Sequence, residues 1–326
     1  MSSGAVPIVD LASVTAADDL ASAFETLGFV EVINHGADAA AAADLRAACD
    51  RFFALDTETK LAHVHPDPAA NRGYRAKGAE ALSYSLGHPS PPDLFESFNC
   101  GADHRVTGSP LQQPAPWPAD TGLRDAAHAW MAEMEQLSAR LDRLVSELLG
   151  LPSLAQSSTI GPDTMACINY EPRADGSEPV LPGQQRMGAH SDYTSFTILD
   201  ADPVPGLQII GVDGEWVDVV PSEDSLLINV GDVLAMYTND VWPSTLHRVV
   251  PMENGAESHR RSVAYFHYPN LDVTLAPLDG FITAERPARY EPVTVEAHLR
   301  SKLTAPKTHT PAAGASTTAG RLHPKD

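Results

Sequence analysis

The sequence predicts a mainly β fold with flanking helices: a double-stranded β-helix, or jelly roll, with an N-terminal α/β lobe. Three observations predict it. From Met165 onward the chain breaks into many short strand-like runs separated by turn residues, the spacing of a double-sheet jelly roll. Before that, strand-like and helical runs alternate. Between the two regions, Asp120 to Leu149 carries apolar residues at helical spacing. The expected organisation is an N-terminal α/β lobe over residues 1–115 packed on the core. Residues 116–300 hold the supporting helix and the jelly roll, and residues 301–326 form a tail.

Pro7 to Leu11 reads as a first short strand. A helix begins at Thr15, with Asp18 and Asp19 in its first turn, where negative charge meets the positive end of the helix dipole. Leu20, Phe24 and Leu27 form its apolar stripe, and Gly28 ends it. Phe29 to Ile33 is a strand, and Ala37 to Leu55 an alanine-rich helix with Leu45, Phe52 and Phe53 inward. In the turn between them, His35 reads as a structural hydrogen-bonding residue. His63-Val64-His65 sits beside a proline-rich break rather than in a buried strand, and is a poor metal site. Asp67 to Pro92, rich in Pro, Gly, Ser and Asn, reads as loop with little regular structure. Leu94 to Cys100 reads as a strand with Phe95, Ser97 and Asn99 on one face.

The Asp120–Leu149 helix has a stripe of Leu, Met and Trp that fits core packing, not a cofactor box, and Gly150 ends it. Asp213-Gly214 signals a hairpin between Leu207–Ile210 and Trp216–Val220. Ser225 to Val230 and Val233 to Tyr237 continue the strand series around Gly231-Asp232. Ser301 to Asp326 turns to Ala, Thr, Pro, Gly and Lys without apolar periodicity, and reads as disordered.

Lys and Arg total 22 against 43 Asp and Glu, a net charge of −21. Such a surface repels nucleic acid and anionic membranes, and points to a neutral or cationic small molecule as partner. Cys49, Cys100 and Cys167 form no CxxC or paired framework, as suits a reducing cytoplasm. Neither a signal peptide nor an apolar run long enough to span a membrane is present, so a cytoplasmic, monomeric protein is expected.

The chemistry is carried by His190-Ser191-Asp192 and His247. Two imidazoles and a carboxylate are the donor set of a facial-triad site for non-haem Fe(II), which leaves coordination positions open. If Gly188 to Thr194 is a strand, His190 and Asp192 point to one face and Ser191 away. An HxD pair alone is common. The sequel strengthens it: Arg260 and Ser262 share a face of an apolar strand through Phe266, and a buried guanidinium beside a hydroxyl is a carboxylate receptor. Arg72 and Tyr74 in the loop, with Phe95 and Ser97 on the strand, are candidate substrate contacts.

Further pieces run in order: Phe29 to Gly36 around Asn34-His35-Gly36, Arg72-Gly73-Tyr74, Ile168-Asn169-Tyr170-Glu171-Pro172, Ile228-Asn229-Val230-Gly231-Asp232, and Arg260-Arg261-Ser262. With these the chain resembles the Fe(II)/2-oxoglutarate-dependent dioxygenases, more narrowly the isopenicillin N synthase-like group, from about Pro7 to about Pro277. The resemblance implies Fe(II) on His190, Asp192 and His247, with 2-oxoglutarate as cosubstrate and O₂ as oxidant. It implies that Arg260 and Ser262 bind the distal carboxylate, with Asn169 and Tyr170 lining the cosubstrate site. Glu171 departs from the family, which often has a second Tyr there. The implied activity is hydroxylation, desaturation or ring closure at a C–H of an amino acid or specialised metabolite, with release of succinate and CO₂. Three alternatives carry different tests: an oxidase of this fold without 2-oxoglutarate, a non-catalytic jelly-roll binding protein, and a zinc hydrolase. The last leaves the Arg260-x-Ser262 strand without a role.

Overall fold

The computed structural model describes residues 6–151, 157–172, 179–252 and 259–309. Along the chain its strands are β1 (Ile8–Asp10), β2 (Phe29–Ile33), β3 (Gly73–Arg75), β4 (Glu96–Cys100), β5 (Thr164–Tyr170), β6 (Met187–His190), β7 (Phe196–Ala201), β8 (Leu207–Ile210), β9 (Trp216–Val219), β10 (Leu226–Val230), β11 (His247–Val249) and β12 (Arg260–His267). A short pair, β13 (Thr274–Leu275) and β14 (Val293–Thr294), follows. The helices are α1 (Ala16–Thr26), α2 (Ala39–Phe53), α3 (Thr57–Leu61), α4 (Leu123–Leu149), α5 (Asp232–Tyr237) and α6 (Val295–Thr308).

Two sheets make the jelly roll. The larger has the order β1-β2-β10-β7-β12-β5-β4-β3, and the smaller β6-β11-β8-β9. Strand periodicity sorts the side chains into two layers. In β10, Leu226, Ile228 and Val230 join Phe52 of α2 and Trp130 and Met134 of α4 in the outer core. Leu227 joins Phe29, Ile168 and Ala264 in the inner core, against Leu207, Ile209 and Val249 of the smaller sheet. The helices therefore stiffen the large sheet from outside, and the space between the sheets is left for a site.

Strands β1 to β4 join both edges of the large sheet, so the N-terminal segment contributes strands to the same sheet as the core. The segment read as plain loop contributes β3, which pairs with β4, and a single 3₁₀ turn over Leu82–Leu86. The predicted β8–β9 hairpin forms, with Ile210 opposite Trp216 and Gly214 at a φ of 85° that an L side chain resists.

Two expectations are corrected. Val233–Tyr237 is not a strand but lies in α5. A short apolar run buried on all sides looks the same in either conformation. Here the backbone turns at once, because Asp232 N–H donates to Asp192 O and Val233 N–H to Thr194 O. Gly231 makes this approach possible: a Cβ there would lie 2.2 Å from the Thr194 carbonyl oxygen. The second correction is the tail. Residues 301–308 continue α6, which is capped by Thr294 and buries Val295, Leu299, Lys302, Ala305 and Pro306. That stripe begins before residue 300, so a window starting at Ser301 misses it. Residues 310–326, also assigned to the tail, lie outside the described residues.

Candidate metal and cosubstrate site

His190 ends β6 and His247 begins β11, directly opposite it in register, and their ring centroids are 4.3 Å apart. Each imidazole is oriented in the same way. Nδ1 of His190 lies 2.8 Å from Gly188 O, and Nδ1 of His247 lies 3.1 Å from Thr245 O. A carbonyl only accepts, so each Nδ1 carries a proton and each Nε2 is the atom turned toward Asp192. Burial, aided by the neighbouring His247, lowers the His190 pKa to about 4, so the ring is neutral at neutral pH.

Asp192 stands in the loop just past β6, not on the strand. Its convergence with His190 is thus set by the loop and not by strand alternation. Thr197 Oγ1 and Asn229 Nδ2 donate to its Oδ2 at 2.6 and 2.7 Å. This leaves Oδ1 at 3.8 Å from His190 Nε2 and 3.7 Å from His247 Nε2. The three ligand atoms lie within 4.8 Å of one another. Neighbouring ligands at about 2.1 Å from an ion stand about 3 Å apart, so the two imidazole–carboxylate separations need to close by less than about 1 Å. Two imidazole nitrogens and one carboxylate oxygen fit ferrous iron.

These residues wall a cavity between the sheets. Arg260, Ser262 and Tyr170 line it too. Arg260 is 1% exposed, and its Nη1 donates to the carbonyls of Asp202 and Val204 at 3.2 and 2.7 Å. Its Nε has no partner among the described residues. Tyr170, opposite Arg260 in β5, donates from its hydroxyl to Met187 Sδ at 3.5 Å.

Not every expected residue faces the cavity. Asn169 lies on the opposite face of β5 from Ile168 and Tyr170, and its amide meets Glu96 at 2.7 Å and His259 at 3.1 Å. Strand alternation excludes it from a site that Tyr170 occupies. Glu171 is exposed. Phe95 and Ser97 line the cavity, but Arg72 and Tyr74 do not. Arg72 is buried, donating to Asn71 O, Thr164 Oγ1 and Asp163 O. Tyr74 packs against Phe52 and donates to Glu96 at 2.5 Å. Both are structural, since β3 turns Tyr74 toward the helices along with its partner Phe98. His35 is a turn residue, meeting Asp224 O and Ala37 N–H.

Sequence reasoning misses Thr197, Asn229, Asn71, Glu80 and Asn99 as site residues. The Asn229 segment is recognisable as a motif, and the period-2 face of β4 groups Asn99 with Phe95 and Ser97. The loop residues Asn71 and Glu80 give no such signal.

The profile of a family described as non-haem dioxygenase in morphine synthesis, N-terminal, matches residues 6–120. That of the 2OG-Fe(II) oxygenase superfamily matches residues 162–269. The chain is 31% identical over 292 residues to validamycin A dioxygenase of Streptomyces hygroscopicus subsp. limoneus, covering 84% of this chain and 80% of that protein. It is 32% identical over 308 residues to flavanone 3-dioxygenase 2 of Oryza sativa subsp. japonica, covering 92% and 84%. The crystal structure of a full-length Neurospora crassa protein in complex with alpha-KG superposes with a TM-score of 0.80 at 28% identity, over 93% of this chain and 97% of that one. The chain therefore belongs to the Fe(II)/2-oxoglutarate-dependent dioxygenases of the isopenicillin N synthase-like superfamily, enzymes that use O₂ to oxygenate small molecules.

Proposed function

We propose that His190, Asp192 and His247 hold the ferrous ion, and that Arg260 and Ser262, beside Tyr170, receive the distal carboxylate of 2-oxoglutarate. Arg260 carries the reading. It is a buried guanidinium on the wall of the same cavity as the three ligands, and its Nη1 donates to backbone carbonyls rather than to a side-chain carboxylate. A charge so placed calls for an anion.

When bound, iron and cosubstrate supply O₂ activation coupled to decarboxylation of 2-oxoglutarate to succinate and CO₂. The chain's own work is positional. Thr197 and Asn229 keep the free oxygen of Asp192 turned toward the imidazoles. The carbonyls of Gly188 and Thr245 hold each ring by its Nδ1, so that each Nε2 faces Asp192. Leu199, Leu207 and Phe266 line the cavity with apolar surface that excludes water and holds a substrate C–H in place.

The proposed substrate is a neutral or cationic small molecule, an amino acid or specialised metabolite, which is hydroxylated, desaturated or cyclised. Relatives named for validamycin A and flavanone, and the Neurospora crassa protein in complex with alpha-KG and thymine, support a small-molecule substrate. Among the described residues, no helix is long and apolar enough to cross a membrane. The three buried free cysteines favour a reducing cytoplasm, and a net charge of −21 favours a monomer.

Anaerobic titration with Fe(II) and then 2-oxoglutarate tests the assignment. A charge-transfer band is expected from the wild type, and none from His190→Ala or Asp192→Ala folded to the same extent by circular dichroism. Normal 2-oxoglutarate consumption by either variant would overturn the ligand assignment. Substrate turnover without succinate would move the reading to an oxidase of the same fold.

A further inference from the structure

One end of the cavity wall is polar, and its chemistry fixes which way the polar groups face. Arg75 can only donate. Its Nη2 donates to Asn71 Oδ1 at 2.6 Å, and its Nη1 donates to Glu80. The Asn71 amide must therefore turn its oxygen toward Arg75. Asn99 approaches that same oxygen at 3.1 Å, so the atom it presents is Nδ2, since two amide oxygens would repel. Asn99 Oδ1 is then the remaining atom. Asn99 is 7% exposed, and its Oδ1 has no partner among the described residues.

Asn71, Glu80 and Asn99 line the cavity that holds the triad, whereas Arg75 stands behind them outside the lining. The wall thus offers acceptors at this end: an unpartnered amide oxygen and a carboxylate. Asn99 is opposite Ala166 in β5, and Ala166 is opposite Ala264 in β12. Both alanines line the same cavity, so the floor between Asn99 and the metal side carries little bulk. Three strand spacings, roughly 14 Å between backbones, separate β4 from β7, which carries Thr197.

We propose that Asn99 Oδ1, with Glu80, is the specificity-determining acceptor for a hydroxyl or N–H group of the substrate, at the end remote from the reacting C–H. A substrate bearing a donor there repairs a buried acceptor, one bearing a methyl leaves it unpaired, and one bearing a carboxylate meets two acceptors. This rests on the proposed metal centre as the place of reaction.

The test uses matched probes on the full chain: phenol, toluene and benzoate, and 4-phenylphenol, 4-methylbiphenyl and biphenyl-4-carboxylate. Binding is measured by calorimetry, with and without anaerobic Fe(II) and 2-oxoglutarate. In at least one series the hydroxyl member binds at least tenfold more tightly than its methyl and carboxylate counterparts. Asn99→Leu brings the ratio within about twofold and leaves the 2-oxoglutarate charge-transfer band unchanged; Asn99→Ala serves if the leucine variant does not fold. The proposal is overturned if no hydroxyl member binds, if the methyl member binds equally, or if the preference survives in the Asn99 variants. Absence of the charge-transfer band in the wild type would instead sink the metal and cosubstrate reading, and the probe preference is measured independently of it.

Discussion

Replacing Thr197 by Val changes one hydroxyl for one methyl at a site that is 3% exposed, so packing is nearly preserved. What disappears is the 2.6 Å hydrogen bond to Asp192 Oδ2, together with a 3.2 Å contact to Thr194. A hydrogen bond to a charged group contributes about 1.5–3 kcal/mol. At about 1.4 kcal/mol per tenfold, that corresponds to roughly 10- to 150-fold in metal affinity, and outer partners of metal ligands typically account for about 10- to 100-fold. The loss falls on binding because Asp192, held then by Asn229 alone, has to be reoriented when the ion arrives. Anaerobic calorimetry with Co(II), a redox-stable substitute, reads the dissociation constant, and thermal melting of the metal-free protein controls for folding. A dissociation constant within twofold of wild type, with unchanged melting, would refute the claim that Thr197 positions Asp192.

Arg260→Lys replaces a planar fork with a point charge, so the KM for 2-oxoglutarate should rise about tenfold or more; an unchanged KM in a succinate assay removes Arg260 from that role. Gly231→Ala pushes a Cβ against the Thr194 carbonyl, 2.2 Å away in the present backbone. Metal binding should fall with folding, and full Co(II) affinity in this variant would show that the loop tolerates displacement. His267 supplies a pH dependence. Burial opposes its charge, but Asp163 at 3.1 Å and Asp142 at 2.9 Å overcome this and raise its pKa from 6.5 to about 10. A raised folded pKa gives stability that is complete below pH 6.5 and lost as pH climbs toward 10. At about 1.36 kcal/mol per pH unit the upper bound is on the order of 5 kcal/mol. Urea melts from pH 6 to 10 should show this decline, and its persistence in His267→Gln would assign it elsewhere.

Much of the site is readable from residue types alone. A His-x-Asp pair, a distant His and an Arg-x-Ser strand name donors whose chemistry suits one kind of ion and one kind of cosubstrate, whatever the details of the backbone. The two-residue period of β4 likewise puts Phe95, Ser97 and Asn99 on one face, and the structure keeps all three on the cavity wall. The same period, applied to β5, rejects Asn169 once Tyr170 is known to face inward, but parity alone does not say which face is inward.

Local patterns therefore determined the donor set, the long helix α4 and the two-sheet class, because these depend on side-chain chemistry and on spacing within one segment. Tertiary structure decided the rest. It placed Asp192 in a loop clamped by Thr197 and Asn229, turned Arg72 and Tyr74 into the framework, and folded Val233–Tyr237 as a helix. Each of those outcomes depends on a partner far away in the chain, and a hydrogen bond or packing contact at long range leaves no periodic trace in the segment that receives it.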